Sequence, residues 1–385
     1  MRRRSAIAAC AFLALAGFTG CRDLTSAHPG CFIPLDDFHD GGVERSGIPW
    51  LTNPKLAPRG TPDIAYLSIS DRVIGFTFNG RPVAIPHKFL WHHEVVNMEI
   101  PGEKIIVTYS PLTGSSAVFE RPAGADPLGI SSYVLNSNLV LEENGTLRPQ
   151  MTNIGSCGPS DGSALVRVPF EEMSLGAWDV QHPDTWIASS ATGFDDILYT
   201  LFPYGLDYLE TDNTRLLYPV EGGIDPRRPA KELVLGIPGE ETGSGLAFSL
   251  ALLDQLRGAV NVFVSVANAE VDGAPIAVFW NAFAQSAKPY RSDVDGQTLH
   301  FAVSNGERRD AETGTAWDFT GLGYDGPLAG RRLDPLDDAL VSYWFAWAAF
   351  HPLTDVWEPP VPASLLPASQ IGVPDAPITV RAVTR

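Results

Sequence analysis

The sequence contains few cysteines, few methionines and few basic residues. Of its 385 residues only four are cysteine and four are methionine, and 27 Lys and Arg stand against 45 Asp and Glu, for a formal net charge of −18. The shortage of positive charge argues against a nucleic-acid partner, because an acidic surface repels phosphate backbones. The same charge disfavours binding to anionic lipid head groups through the protein surface.

The sequence also lacks the familiar cofactor motifs. It has no Cys-x-x-Cys pair, no phosphate-binding Walker loop and no calcium-binding loop. Gly321-x-Gly323-x-x-Gly326 matches the letters of the dinucleotide fingerprint, but Pro327 and a Gly-Arg-Arg loop follow it. A pyrophosphate site needs the amino end of a helix at that point. We therefore reject the match, and the sequence leaves the cofactor unknown.

The N-terminus has the form of an export signal. Arg2-Arg3-Arg4 precedes an uncharged run from Ser5 to Phe18, and Gly20-Cys21 follows. This order predicts a signal peptide over residues 1–20 and a mature chain that begins at a lipid-bearing Cys21. The alternative is cleavage by an ordinary signal peptidase, with Cys21 incidental. With lipid, the chain would be anchored in the cell envelope, facing the periplasm or the exterior.

This prediction accounts for two of the four cysteines. Cys10 leaves with the signal and Cys21 takes the lipid, so that Cys31 and Cys157 remain. In an oxidising envelope such a pair is a candidate disulfide. Closing a loop of about 125 residues would add on the order of 4 to 5 kcal/mol in the chain-entropy model.

The middle of the chain alternates short apolar, β-branched runs with turn residues. Asn79-Gly80 and Asn144-Gly145 carry the hairpin signal. Helical periodicity occurs in four segments, of which the last begins at a candidate capping residue, Asp334. The predicted fold class is α+β and β-rich. The four predicted helical segments are Lys88–Val96, Phe170–Val180, Ala247–Leu256 and Asp334–Phe350.

The sequence contains an internal similarity. Trp178-x-x-x-His182-Pro183 recurs as Trp347-x-x-x-His351-Pro352, and Glu143-Asn144-Gly145-Thr146 matches Glu312-Thr313-Gly314-Thr315 at the same offset. Such order predicts two related lobes that arose by internal duplication. The predicted organisation is a lipid-anchored tether and irregular lead-in over 21–59, a first lobe over 60–187, a connector over 188–231, a second lobe over 232–358 and a Pro-rich tail over 359–385.

Two segments of the first lobe carry candidate site residues. His92-His93-Glu94-x-x-Asn97 would place His93 and Asn97 on one face of a helix, one imidazole short of a zinc-binding helix. His92, His93 and Glu94 are therefore candidate metal ligands. The alternative is that they make structural hydrogen bonds.

The second segment, Tyr109–Ser116, follows a strongly apolar strand. Its Ser110 and Ser115 would face a ligand or a base such as His93, although the Gly-x-Ser-x-Gly elbow of hydrolases is missing. The alternative is that these hydroxyls bond to their own turn.

Seven segments of the chain together form a specific pattern: Gly75–Pro86, His93–Asn97, Val107–Ser115, Asn136–Val140, Gly314–Asp318, Gly326–Leu333 and Trp344–Pro352. In these segments the chain resembles a family known as domain of unknown function 3179. The resemblance covers most of residues 60–358, and the family has no established activity to transfer. Relatives carry Trp-His-Glu where this chain has His92-His93-Glu94, and Tyr-Cys-Pro where it has Tyr109-Ser110-Pro111. The resemblance implies that the His-Glu segment and the serine-rich turn mark the site.

The leading hypothesis is a noncatalytic envelope protein that binds a small molecule or an envelope protein through the first lobe. A rival hypothesis is an enzyme, either a hydrolase or a metal-assisted catalyst, with His93 or Glu94 as the proton carrier. A third is a structural partner protein with a broad apolar patch. The predicted pocket residues are His93, Glu94, Asn97, Tyr109, Ser110 and Thr113, with Asn136 and Asn138 in its lining.

Overall fold

A computed structural model describes residues 31–44, 47–258 and 261–360. The predicted signal peptide 1–20, the predicted lipidation site Cys21 and most of the predicted tail lie outside these ranges. No helix in the described ranges is long and apolar enough to cross a membrane.

The chain is β-rich, with short strands, few helices and several small sheets. In and before the first lobe the strands are β1 His39–Asp40, β2 Leu51–Thr52, β3 Leu56–Pro58, β4 Arg72–Phe78, β5 Arg81–Pro86, β6 Val95–Ile100, β7 Glu103–Ser110, β8 Ser115–Glu120, β9 Gly129–Leu135, β10 Asn138–Glu143, β11 Thr146–Pro149, β12 Glu171–Ser174 and β13 Trp186–Ala188. The helices are α1 His87–Leu90 and α2 Leu175–Gln181.

The connector carries two short 3-10 helices, and the second lobe returns to strands. These 3-10 helices are Asp196–Thr200 and Leu206–Leu209. The strands are β14 Leu233–Pro238, β15 Ser244–Ser249, β16 Val264–Val271, β17 Ala274–Asn281, β18 Ser286–Arg291, β19 Asp293–Val294, β20 Gln297–Thr298, β21 Phe301–Ser304, β22 Glu307–Asp310, β23 Ala316–Trp317, β24 Gly323–Asp325, β25 Leu340–Tyr343 and β26 Leu353–Val356. The helices are α3 Leu250–Gln255 and α4 Trp344–Phe350.

The two lobes use one strand order. In the first, β12-β4-β5-β13 form a sheet extended by β3, and in the second β25-β14-β15-β26 form a sheet of the same order. In each lobe the fourth strand runs parallel to the third, while the other neighbours are antiparallel. Each lobe also has an antiparallel meander, β6-β7-β8 and β16-β17-β18.

The repeated tryptophans pack in the same way. Trp178 lies on Gly75, where an added Cβ would come within 2.4 Å of the indole, and Trp347 lies on Gly236, where the distance would be 2.2 Å. Each indole nitrogen donates to a threonine, at 2.8 Å in the first lobe and 2.9 Å in the second. Glycine is required at both strand positions, since any side chain there would displace a buried ring.

The lobes contact each other reciprocally. The amide of Ser174, before α2, donates to the carbonyl of Ala284 in the second lobe, and the amide of Tyr343, before α4, donates to the carbonyl of Thr113 in the first. One apolar cluster joins Met173 and Trp178 to Phe279 and other second-lobe side chains. The two lobes therefore share buried core rather than each enclosing its own.

Three of the four predicted helical segments combine a strand with a shorter helix. Phe170–Val180 contains β12 and most of α2, Ala247–Leu256 contains the end of β15 and α3, and Asp334–Phe350 contains β25 and α4. Apolar spacing was therefore a poor guide here, because each strand continues directly into its helix with no turn residue between them. The predicted cap at Asp334 was wrong, since the helix begins at Trp344.

The helix predicted over the remaining segment, Lys88–Val96, was also wrong. Only His87–Leu90 is helical, and a turn leads into β6 at Val95. His93 and Asn97 therefore do not share a helix face. The predicted turns were correct, since Asn79-Gly80 and Asn144-Gly145 join β4 to β5 and β10 to β11 with positive φ.

The two cysteines left by the export prediction are joined. Cys31 and Cys157 form a disulfide across a sequence separation of 126, with Cα atoms 4.4 Å apart. The Ser156 hydroxyl donates to the carbonyl of Ile33 and accepts from its amide, which fixes the lead-in beside the bond. The lead-in is thereby attached to the first lobe.

Candidate functional site

The serine-rich turn lies at the end of the β7–β8 hairpin. Ser110 and Ser115 face each other across the hairpin, and the amides of Thr113 and Gly114 donate to the Ser110 carbonyl. Gly114 has a φ of 63° and lies against the Tyr343 ring, so that a side chain would clash there. The turn thus packs tightly on the second lobe.

Beneath this turn lies a buried polar network. The Asn138 amide donates to the hydroxyls of Thr113 and Ser115, at 2.9 and 3.1 Å, and to Oε1 of Gln150 at 3.0 Å. Ser115 donates to the same oxygen, and the Gln150 amide donates to the Thr108 hydroxyl. Such satisfied buried groups fix the geometry of the turn. Gln150 was not predicted from the sequence, because the residues around it form no recognisable motif.

Ser110 differs from its neighbours. It is 1% exposed, and its Oγ has no hydrogen-bond partner among the described residues. A buried hydroxyl without a partner costs roughly 1 to 3 kcal/mol. The Ser110 hydroxyl is therefore free, among the described residues, to form a hydrogen bond with a bound molecule.

Glu94 lies at the same end of the meander as Ser110. Its carbonyl accepts a 2.8 Å hydrogen bond from the amide of Tyr109, the residue before Ser110, and its φ is 53°. Glu94 is 5% exposed, and the described residues supply no hydrogen bond or ion pair to its carboxyl group. Burial raises its pKa to about 8.

Aromatic side chains of the connector cover Glu94. Burial raises the pKa of both Tyr204 and Tyr218, and the nearby Glu94 carboxylate raises them further. Tyr218 is held in place by its own hydrogen bond to the carbonyl of Gly41. One side of the site is therefore formed by the first lobe, and the other side is covered by the connector.

His93 is already fully engaged. Nδ1 lies 2.6 Å from the carbonyl of Pro49, and Nε2 lies 2.8 Å from the hydroxyl of Tyr199. Burial lowers its pKa, and His92 contacts the carbonyl of Leu201 at 2.8 Å. In the described ranges no three or more His, Cys, Asp or Glu side chains are grouped as metal ligands. The structure thus gives both histidines hydrogen bonds to the chain itself.

Asn97 and Asn136 also bond to the backbone. Asn97 makes two hydrogen bonds to the peptide of Leu128, at 2.9 and 3.0 Å. In the second lobe Asn268 makes the same two bonds to the peptide of Phe301, at 2.8 and 2.9 Å. Asn136 accepts from the amide of Glu221 in the connector. A role that occurs in both lobes is structural.

Tyr109 lies on the opposite face of the meander from Ser110. Its ring stacks on that of His87 with centroids 4.3 Å apart. Nε2 of His87 lies 3.5 Å from both the Ser116 hydroxyl and the Glu172 carboxylate. The same carboxylate forms an ion pair with Arg72. Burial lowers the pKa of His87 to about 4, so that it is neutral at pH 7. Sequence reasoning named Tyr109 but missed this cluster.

The second lobe has residues equivalent to Glu94 and Ser110. Val95 pairs with Thr108 in β6–β7, and Val266 pairs with Phe279 in β16–β17. When these two pairs are superposed, Ser265 is equivalent to Glu94 and Asn281 is equivalent to Ser110. Ser265 donates to the carbonyl of Leu253, and Asn281 accepts from the amides of Phe283 and Ala284. Both second-lobe side chains are therefore hydrogen-bonded, whereas those of Glu94 and Ser110 have no hydrogen-bond partner among the described residues.

A family model now places the chain among known sequences. The model, described as a protein of unknown function, DUF3179, matches residues 45–354. The chain belongs to the DUF3179 family. The DUF3179 match extends over both lobes and the connector, and it confirms the resemblance seen in the sequence motifs. No curated protein and no solved structure matches the chain.

Proposed function

We propose that this DUF3179 protein is an exported, lipid-anchored envelope protein that binds a small polar ligand between Glu94 and Ser110. One observation carries the proposal: within the part of the chain that the structure describes, the buried Ser110 hydroxyl has no hydrogen-bond partner and the Glu94 carboxyl group receives no hydrogen bond, while their counterparts Ser265 and Asn281 are bonded. Buried polar groups are nearly always paired, so an unpaired set is a candidate for binding.

The proposed ligand is uncharged and both donates and accepts hydrogen bonds. With a pKa of about 8, Glu94 is mainly a neutral carboxylic acid at pH 7 and presents one donor and one acceptor. Ser110 adds a hydroxyl of the same kind. An anionic ligand would not benefit from a site without a cation, and the phenols of Tyr204 and Tyr218 favour a compact polar molecule.

The envelope part of the proposal rests on the signal-like residues 1–20 and on the disulfide, which suits an oxidising compartment. Replacing Cys21 with Ser tests the lipid. The wild type is expected in the membrane fraction with a lipid mass on its first residue, and Cys21→Ser in the aqueous fraction. Equal partition of both proteins would refute the anchor.

We also propose that the two lobes arose by duplication. The common strand order, the two Trp–Gly contacts and the reciprocal contacts of Ser174 and Tyr343 support this origin. The second lobe then lost, or never acquired, the unpaired groups and acts as scaffold.

Native mass spectrometry tests ligand binding. The mature protein purified from its own envelope is expected to carry a small molecule that is lost in Glu94→Gln and in Ser110→Ala. Ser265→Ala and Asn281→Ala, at the matched positions of the second lobe, serve as controls and should retain it. A wild-type protein free of any bound molecule, or one that keeps its ligand in both first-lobe variants, would overturn the proposal.

An enzyme is the second candidate, and the Glu94 pKa favours it. A carboxyl group that titrates near neutral pH is suited to proton transfer, whereas His93 has both ring nitrogens engaged. Hydrolysis of p-nitrophenyl acetate would then show a pH inflection near 8 that disappears in Glu94→Gln and remains in His93→Gln. A rate equal to that of buffer at every pH removes this candidate.

A further inference from the structure

A cavity of about 420 Å³ lies between the two lobes, and neither Glu94 nor Ser110 belongs to it. The first lobe contributes β4 and β12, and the second lobe contributes β18, β25 and the segment before β25. Its volume falls in the range of small-molecule sites, which often form where two structural units meet. Both lobes are needed to enclose it.

The two edge strands that line the cavity are equivalent in topology but opposite in chemistry. Glu171 pairs with Gly75 at one edge, and Leu340 pairs with Gly236 at the other. The register therefore makes Glu171 and Glu172 the counterparts of Leu340 and Val341. All four line the cavity. One wall carries carboxylates where the other is aliphatic.

The charges in the cavity leave carboxylate oxygens without partners. Lys288, from the second lobe, pairs with Oε1 of Glu171, but Oε2 is inaccessible to water and has no hydrogen-bond partner among the described residues. Burial and the nearby Asp338 raise the pKa of Asp337. Lys288 lowers that pKa, but by less than burial and Asp338 raise it. Lys288 therefore lies near two carboxylates, those of Glu171 and Asp337.

The other charged groups of the lining are either paired or exposed. Glu172 forms an ion pair with Arg72 at 2.9 Å. Arg332 is exposed and lies near Tyr290, whose pKa it lowers against the larger effect of burial. Among the described residues, the buried atom of the lining that lacks a hydrogen-bond partner is Oε2 of Glu171. This atom is an acceptor, so a ligand must supply the donor.

We propose that this cavity binds an organic amine, with its ammonium group against Glu171 and Asp337 and its apolar body against Leu340 and Val341. Phe76 and Leu336 extend the apolar wall. The net charge of −18 favours the encounter with a cation. The site is independent of the ligand proposed for Glu94.

Fluorescence titration with three dansyl probes tests the proposal on the mature protein. Dansylcadaverine carries an ammonium group, dansylamide is neutral and dansylglycine is anionic. We expect saturable 1:1 binding of dansylcadaverine, at least tenfold tighter than that of either other probe. Binding of dansylglycine as tight as that of dansylcadaverine would overturn the proposal.

Matched variants locate the site. Glu171→Gln with Asp337→Asn is expected to weaken dansylcadaverine binding at least tenfold. Glu240→Gln with Glu241→Gln removes the same charge from an exposed turn and should leave it unchanged. Equal weakening by the two double variants would mean general charge attraction and would refute the site.

A size variant keeps the test valid if loss of the Glu171–Lys288 pair prevents folding. Thr320 is exposed and lines the cavity, so Thr320→Trp adds bulk without changing charge. It is expected to block dansylcadaverine, while Glu94→Gln should bind it normally. Unchanged binding in Thr320→Trp would contradict the proposal even if other variants unfold.

Discussion

The two lobes have the same strand order, but they treat their polar groups differently. The second lobe satisfies Ser265 and Asn281 with backbone partners. The first lobe holds Glu94 and Ser110 at the matching positions with no partner from the described residues. Since the strand order of the main sheet is common to both lobes, the difference lies in side chains that this strand order does not require.

The second lobe serves as an internal control for the first. Asn97 belonged to the predicted pocket, yet Asn268 makes the same pair of bonds in the other lobe. The Trp–Gly contacts also occur twice. What is common to both lobes maintains the fold, and what occurs once is a candidate for function.

The largest expected effect tests what the lobes have in common. Trp178→Ala and Trp347→Ala each remove a nearly fully buried indole, and each should lower the free energy of unfolding by about 3 to 5 kcal/mol. Thermal and urea unfolding measure this. Comparable losses support equivalent roles, whereas a loss confined to one variant would break the correspondence.

The next effect tests a difference between the lobes. The Glu94 pKa of about 8 lies above its ordinary 4.5, so the folded state holds this proton more tightly. The stability this provides is complete below pH 4.5 and is lost as the pH rises to about 8. Glu94→Gln should therefore gain stability relative to wild type, on the order of 5 kcal/mol at pH 9.

Unfolding of both proteins from pH 4 to pH 9 measures this gain. Ser265→Ala, at the matched position, should shift stability by the same amount at every pH, because serine does not titrate in this range. A wild-type minus Glu94→Gln difference that is constant with pH would contradict the buried, protonated carboxyl group.

A smaller effect tests the two asparagines that make the same pair of hydrogen bonds in the two lobes. Asn97→Ala and Asn268→Ala each leave a buried peptide without partners and should cost about 1 to 3 kcal/mol. Neither should alter binding of the molecule that co-purifies with the mature protein. Loss of that molecule in Asn97→Ala alone would return Asn97 to the binding site.

The smallest effect separates two serines of one turn. Ser115 is bonded to Thr113, Gln150 and Asn138, so Ser115→Ala should cost about 1 to 2 kcal/mol. Ser110→Ala removes a hydroxyl that has no partner among the described residues, and loss of its desolvation penalty should raise the free energy of unfolding, by about 1 kcal/mol at the lower end of that penalty. A lower free energy of unfolding for Ser110→Ala in urea would mean that Ser110 is bonded in solution.

The sequence predicted the family, the β-rich class and the Asn-Gly turns, because these depend on local residue patterns. It failed on the helices, where Leu340–Tyr343 and Trp344–Phe350 form one apolar run with two conformations. Burial on all sides removes the periodicity that separates a strand from a helix.

For the candidate site, the sequence identified Glu94 and Ser110 but not what surrounds them. Local pattern also suggested a helix that would pair His93 with Asn97. Only the tertiary structure decided that His93 bonds to Pro49 and Tyr199, that Asn97 bonds to Leu128, and that the connector covers Glu94. Those partners lie 31 to 106 residues away in the chain, and hydrogen-bond partners at such distances are fixed by packing rather than by neighbouring residues.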